Sequence, residues 1–203
     1  MNIVEMISSN DNNYGTGNKG LYITIHETGN TDEGANALAH ANYINNGSEE
    51  TWHYTVDDTQ VIKHFNHDIS CWHCGDGRGE GNLNSIGIEM CVNSDGDFSK
   101  TIANTIELVK YLMKELNISI ADVFQHNYWS GKDCPQNIRR GNPITWYTFI
   151  DRVKNNTTPV TTNVTNNVLY RVQVGAFKNK NNAINLSNEL KNLGYDNFII
   201  EGK

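Results

Sequence analysis

The chain has 203 residues, and its 16 Lys and Arg against 23 Asp and Glu leave a formal net charge of −7. That length allows one ordinary domain plus a small one, and the acidic balance argues against a nucleic-acid binder, which carries a basic excess. No apolar run approaches the ~20 residues of a membrane span, and four scattered cysteines do not make a disulfide framework. The start, Met1 to Asn10, lacks the basic flank of a secretory signal, so synthesis in the cytoplasm without a signal peptide is expected.

Leu21-Tyr-Ile-Thr-Ile-His26 alternates and is β-branched, which predicts a strand. A helical stretch is expected from Asp32, with Ala35, Leu38, Ala41, Tyr43 and Ile44 on one side and Gly47 as its stop. Trp52–Asp57 and Gln60–Phe65 flank Asp58-Thr59, the pattern of a hairpin. Ser85–Cys91 alternates again. Ile102, Ile106, Val109, Leu112, Met113 and Leu116 recur at a helical period over residues 101–116. Asp122–Gln125 reads as a short strand, and Asn142-Pro143 as the start of a last helix to about Lys154, with proline at the first helical position. This alternation predicts an α/β fold, a mixed central β-sheet flanked by helices.

Asparagine is in excess, 31 residues, which reflects compositional bias more than function. Ten of the 13 residues in 155–167 are Asn or Thr, with Pro159 inside and no apolar period. Such a segment buries no face and reads as a linker. The expected division is therefore a domain over 1–154, a linker over 155–167 and a tail over 168–203. In the tail, Leu169–Val174 alternates as a strand. Ala183, Leu186, Leu190 and Leu193 then recur at helical spacing before Gly194, and Tyr195–Ile200 reads as a second strand, giving a short β–α–β segment.

His26 ends a strand, His126 follows one, and Cys134 lies in Gly131-Lys-Asp-Cys-Pro135. Strand ends are where a rigid sheet presents functional groups. Two imidazoles and a thiolate match the three-ligand set of a catalytic zinc with one position left for water. Taken singly, each histidine also has an ordinary structural reading. Glu89 sits in a strand otherwise apolar at Ile86, Ile88 and Met90; it lies on a solvated face or faces a site, where it would act as general base. Lys132 is a solvated loop lysine or a donor to an oxyanion. Cys71-Trp-His-Cys74 is a single CxxC, with no second pair for a structural zinc and no thioredoxin-like context, so buried thiols are expected. His53 is expected in or beside the sheet, and His40, His64 and His67 at the surface.

The segments Ile23-Thr-Ile-His-Glu-Thr-Gly-Asn30, Trp52-His-Tyr-Thr-Val-Asp57, Cys71-Trp-His-Cys-Gly-Asp-Gly77, Asn84-Ser-Ile-Gly-Ile-Glu-Met-Cys91 and His126-Asn-Tyr-Trp-Ser-Gly-Lys-Asp-Cys-Pro135 resemble, in order, the type-2 N-acetylmuramoyl-L-alanine amidase family. Phage endolysins and peptidoglycan recognition proteins share its fold. The resemblance implies Zn2+ held by His26, His126 and Cys134, with Glu89 and Lys132 as catalytic residues. Trp72, His73 and Asn84, inside the same motifs, are candidates for substrate contact. The implied reaction hydrolyses the amide between N-acetylmuramic acid and L-alanine in bacterial peptidoglycan, as an endolysin does after release through a membrane pore made by another protein. Where the family commonly shows Ala-Trp-His-Ala-Gly, this chain has Cys71 and Cys74. The tail, Tyr170-Arg-Val-Gln-Val-Gly-Ala-Phe177 onward, resembles the first half of a SPOR domain, a peptidoglycan-binding module. A truncated module, one completed by self-association and a non-functional remnant are the three expectations for it.

Two other readings compete. In a non-catalytic peptidoglycan-recognition module the zinc-binding cysteine is typically lost, whereas Cys134 is present. A structural zinc site needs neither Glu89 nor Lys132.

Overall fold

The computed structural model describes residues 3–155, 173–192, 195, 197 and 199–201. It divides into two compact units, Met1–Val160 and Thr161–Lys203. In the first, strands β1 (Ile3–Glu5), β2 (Tyr22–Glu27), β3 (Tyr54–Val56), β4 (Val61–Lys63), β5 (Ser85–Met90) and β6 (Val123–Gln125) form one sheet in the order β1-β4-β3-β5-β2-β6. The β3–β4 hairpin is antiparallel and every other pairing is parallel, so the sheet is mixed.

Alternation decides which side each residue serves. Ile23 and Ile25 of β2, Ile86, Ile88 and Met90 of β5, and Tyr54 and Val56 of β3 are buried on one face. There they meet Ile102, Ile106, Val109 and Leu112 of α3 (Phe98–Leu116) and Phe149 and Val153 of α6 (Trp146–Lys154) in one cluster. Each fully buried aliphatic side chain there stabilises the fold by roughly 1.5–3 kcal/mol. Thr24, His26, Thr55, Ser85, Gly87 and Glu89 take the opposite face by the same alternation. The β2–β5 register sets Thr24 against Gly87 and His26 against Glu89, and β3 sets Thr55 against Glu89.

Helix α1 (Ala37–Asn45) begins five residues after Asp32. Gly34 turns the chain at φ +78°, and the Asn36 side chain accepts the Ala39 N–H as the cap. Asp57 then anchors the start of α1. Its Oδ2 accepts the Ala37 N–H at 3.0 Å, while Oδ1 accepts from Thr59 N, Thr59 Oγ1 and Gln60 N at 2.7–2.8 Å, closing the hairpin. Burial alone would raise this carboxyl, but those donors hold it below the usual carboxylate range. Asp57→Ala is therefore expected to destabilise the domain by about 2–4 kcal/mol. Thermal melting checks this; an unchanged melting temperature would show that the joint is not needed.

Helix α3 starts three residues before the expected boundary because the Asp97 side chain caps it, accepting from Lys100 N, and Asn117 ends it at φ +56°. The last helix of this unit does not begin at Pro143. Thr145 caps α6, its side chain accepting from Thr148 N. The edge strand β1 and the short helices α2 (Glu80–Asn84), α4 (His126–Ser130) and α5 (Gln136–Arg139) are too brief to show a period in the sequence.

In the second unit α7 (Lys180–Asn192) covers the expected helical positions Ala183, Leu186 and Leu190. Of the strand expected over 169–174, only Gln173 and Val174 are among the described residues, and neither is in a strand. Nor are Tyr195, Asn197, Ile199 and Ile200; instead the Ser187 hydroxyl donates to Asn197 Oδ1 at 2.6 Å. The 155–167 linker lies outside the described residues beyond Asn155. Among the described residues, no helix is long and apolar enough to cross a membrane.

Candidate metal centre and catalytic cleft

The polar face of the sheet supplies the first ligand position. His26 lies near the end of β2 and is 1% exposed. Strand β6 pairs with β2 up to Gln125, so the next residue, His126, emerges beside His26 at the first position of α4. The loop after α4 folds back under it. Asn127 N donates to the Cys134 carbonyl at 3.0 Å, and the Asn127 amide donates to the carbonyls of Gly131 and Lys132. The Cys134 sulfur accepts the Glu27 N–H at 3.4 Å.

Glu27, which sequence reasoning passed over, organises this return. Its buried carboxylate accepts Asn137 N, Asn137 Nδ2 and Ile138 N at 2.9–3.1 Å. Its partners lie 110 and 111 residues away, so no local signal could have found it.

The result is a convergence of donors. His26 Nδ1 and His126 Nδ1 are 2.9 Å apart, and the donor atoms of His26, His126 and Cys134 all lie within 4.8 Å of one another. Glu89 Oε1 stands 3.9 Å from His26 Nδ1, with its side chain 15% exposed. His126 Nε2 and Glu89 Oε2 are buried without a hydrogen-bond partner. Such buried orphans call for an explanation. A buried set of two imidazoles and one thiol, with a carboxyl oxygen free beside it, fits a zinc-type dication.

Electrostatics agree with that fit. Burial, with His73, His126 and Lys132 adding to it, holds His26 well below the usual imidazole range. Burial and Lys132 hold His126 down at about 4. Both imidazoles are thus neutral, with lone pairs to give. Burial and Glu89 push the Cys134 thiol up to about 12. Burial raises Glu89 to about 8 against the pull of Lys132. A bound cation would favour both deprotonated forms.

The donors open into a cleft of about 410 Å³. Glu27, His73, Glu89, His126 and Lys132 line it, together with Ala39, His40 and Tyr43 of α1 and Glu50 and Trp52. The structure therefore brings together His26, His126, Cys134, Glu89, Lys132 and His73. Of the three substrate-contact candidates, only His73 lines this cleft. Trp72 is 49% exposed and stacks on Tyr14 at 5.9 Å, away from the cleft lining. Asn84 sits at the end of α2, where its side chain donates to Glu80 and accepts from Lys19 N.

Other expectations also change. His64 is fully buried, its Nε2 against Thr55 Oγ1 at 2.8 Å across the hairpin, and His40 lines the cleft. His53 is buried at the edge of β3, as expected, where its Nδ1 accepts the Gly87 N–H at 3.0 Å. Gly87 leaves room for the His73 ring, since a Cβ there would fall 2.8 Å from His73 Nδ1. Cys71, Cys74, Cys91 and Cys134 are all buried free thiols.

Comparison with known proteins places this geometry. The family described as N-acetylmuramoyl-L-alanine amidase matches residues 16–137, and the SPOR domain matches residues 142–201. The SPOR match thus begins ahead of α6. Among curated relatives, N-acetylmuramoyl-L-alanine amidase XlyA of Bacillus subtilis is 55% identical over 119 residues, 58% of this chain. N-acetylmuramoyl-L-alanine amidase CwlH of the same organism is 44% identical over 153 residues, 74% of this chain. The chain spans only 40% and 60% of the length of those two proteins. Among solved structures, the catalytic domain of XlyA superposes with a TM-score of 0.71 at 46% identity, covering 75% of this chain and 99% of that one. PlyL superposes with a TM-score of 0.70 at 34% identity, covering 78% of this chain and 100% of that one. By the match over residues 16–137 and the sheet it spans, the chain belongs to the N-acetylmuramoyl-L-alanine amidase family, with a SPOR match over residues 142–201.

Proposed function

We propose that this chain is a zinc-dependent N-acetylmuramoyl-L-alanine amidase of the endolysin type. It hydrolyses the amide between the lactyl group of N-acetylmuramic acid and L-alanine in bacterial peptidoglycan. The observation that carries this reading is the convergence of His26, His126 and Cys134 beside a cleft that His126, Glu89 and Lys132 line.

His26, His126 and Cys134 would hold the zinc, which when bound acidifies water and polarises a carbonyl. Glu89 takes the proton of the attacking water and returns it to the departing L-alanine nitrogen. Its position opposite His26 in the β2–β5 register suits a group that takes a proton beside the metal and delivers it to the leaving nitrogen. Lys132, on the loop tied down by Asn127, hydrogen-bonds the oxyanion that develops on the lactyl carbonyl. His73 borders the substrate from the cleft wall.

The domain division belongs to the same reading: catalysis in residues 1–154, a linker over 155–167 and a SPOR-type peptidoglycan-binding segment behind it. So does the place of action, the cell wall, reached through a membrane pore made by another protein. Digestion of purified peptidoglycan with and without a chelator tests the proposal. Released stem peptides with a free N-terminal L-alanine, lost on chelation and restored by zinc, are expected by mass spectrometry. New reducing sugar ends in their place would mean a glycosidase.

A further inference from the structure

The donor cluster around His26 has a second half. One ring nitrogen, Nδ1, faces His126; the other, Nε2, lies 2.9 Å from His73 Nδ1. Cys74 Sγ is 3.2 Å from the same His73 nitrogen. The donor atoms of His26, His73 and Cys74 all fall within 4.8 Å of one another, as those of the first set do, and all three residues are buried. Burial keeps His73, like His26, well below the usual imidazole range, so both rings are neutral. Cys74 completes this half, and it stands at a position where the family pattern has alanine. Nothing in the amide hydrolysis derived above uses a thiol there.

We propose that His26, His73 and Cys74 form a second metal site for a thiophilic divalent cation such as Zn2+ or Cd2+, sharing His26 with the His26–His126–Cys134 set. Two imidazoles and a thiolate are a donor set that d10 cations favour. Filling it releases two protons to solvent: the Cys74 thiol proton and the one held between His26 Nε2 and His73 Nδ1. With both halves filled, His26 bridges as an imidazolate. Removing that second proton weakens the site, so it fills after the first and only with metal in excess. Excess metal is then expected to inhibit turnover, and Cys74→Ala to relieve the inhibition.

Cadmium titration of the chelator-treated full chain tests the site without reference to catalysis. Stoichiometry is read by equilibrium dialysis, and thiolate ligation by the ultraviolet charge-transfer band. Wild type is expected to take two thiolate-linked equivalents, and Cys74→Ala one. Cys134→Ala should also retain one, held by the His26–His73–Cys74 half. Cys71 and Cys91 are present in every variant and cancel in the difference. Should Cys74→Ala fail to fold, Cys74→Ser keeps the side-chain size and carries the same expectation. A wild-type titration that ends at one thiolate-linked equivalent and superimposes on that of the Cys74 variant overturns the proposal. His26 Nε2 would then serve only as a hydrogen-bond partner of His73.

Discussion

Glu89→Gln is expected to slow amide hydrolysis by roughly 100- to 10,000-fold, the usual range for a general acid–base group, while metal uptake persists. Glutamine keeps the size of the side chain and its place opposite His26, but it cannot take a proton from water. The same substitution should separate catalysis from stability. Burial raises the Glu89 carboxyl from its ordinary 4.5 to about 8 in the metal-free fold. A carboxyl raised on folding favours the native state below its unfolded pKa, and that contribution is lost as pH rises through the folded value. Metal-free wild type should therefore lose stability relative to Glu89→Gln between about pH 4.5 and 8. At one pKa unit per ~1.4 kcal/mol, the ceiling of this difference is on the order of 5 kcal/mol. Melting curves at pH 4 and pH 9 check it: near-equal midpoints at pH 4 and a higher midpoint for the variant at pH 9. Hydrolysis near the wild-type rate would place the base elsewhere.

Cys134→Ser should abolish hydrolysis together with metal binding at the His26–His126–Cys134 set. A serine hydroxyl can still accept the Glu27 N–H that Cys134 Sγ accepts at 3.4 Å, so the loop is expected to keep its path. It does not ionise near neutral pH and is a poor donor to a thiophilic cation. Losing even a supporting partner of a metal ligand costs about 10- to 100-fold in affinity, so losing the ligand itself should cost at least ~100-fold. Wild-type protein at a thousandfold excess of zinc over its dissociation constant should gain about 4 kcal/mol of stability by mass action. Cys134→Ser at the same zinc concentration should gain clearly less, about 1.4 kcal/mol for a 100-fold loss of affinity. Parallel melts with zinc and with chelator read this directly, and a variant that retains both zinc and turnover would remove Cys134 from the ligand set.

These two residues also show how unevenly the site can be read from the sequence. Cys134 stands out because it lies in a dense motif with Lys132 and follows His126 by eight residues. Apart from the family resemblance, Glu89 is legible only as a carboxylate interrupting an apolar alternation. Whether such a carboxylate meets solvent or a partner depends on what covers that face. Trp72 and Asn84 belong to equally clear motifs, yet neither lines the cleft, because proximity along the chain says nothing about which way a side chain projects.

The sequence by itself determined the elements with strong one-sided burial. The alternation of Leu21–His26 and Ser85–Cys91 and the 3.6 period of residues 101–116 are local imprints of which side chains meet the core. It also determined the chemical inventory: two histidines, a cysteine, a glutamate and a lysine suited to metal-assisted hydrolysis. Tertiary structure alone decided the pairings. His26 faces Glu89 through the β2–β5 register, and Glu27 ties down the Cys134 loop from 110 residues away. His73 reaches the far nitrogen of His26 in the space that Gly87 leaves open. Strand register and loop closure bring residues together across distances that no local period records, so the partners, unlike the ingredients, appear only when the chain is folded.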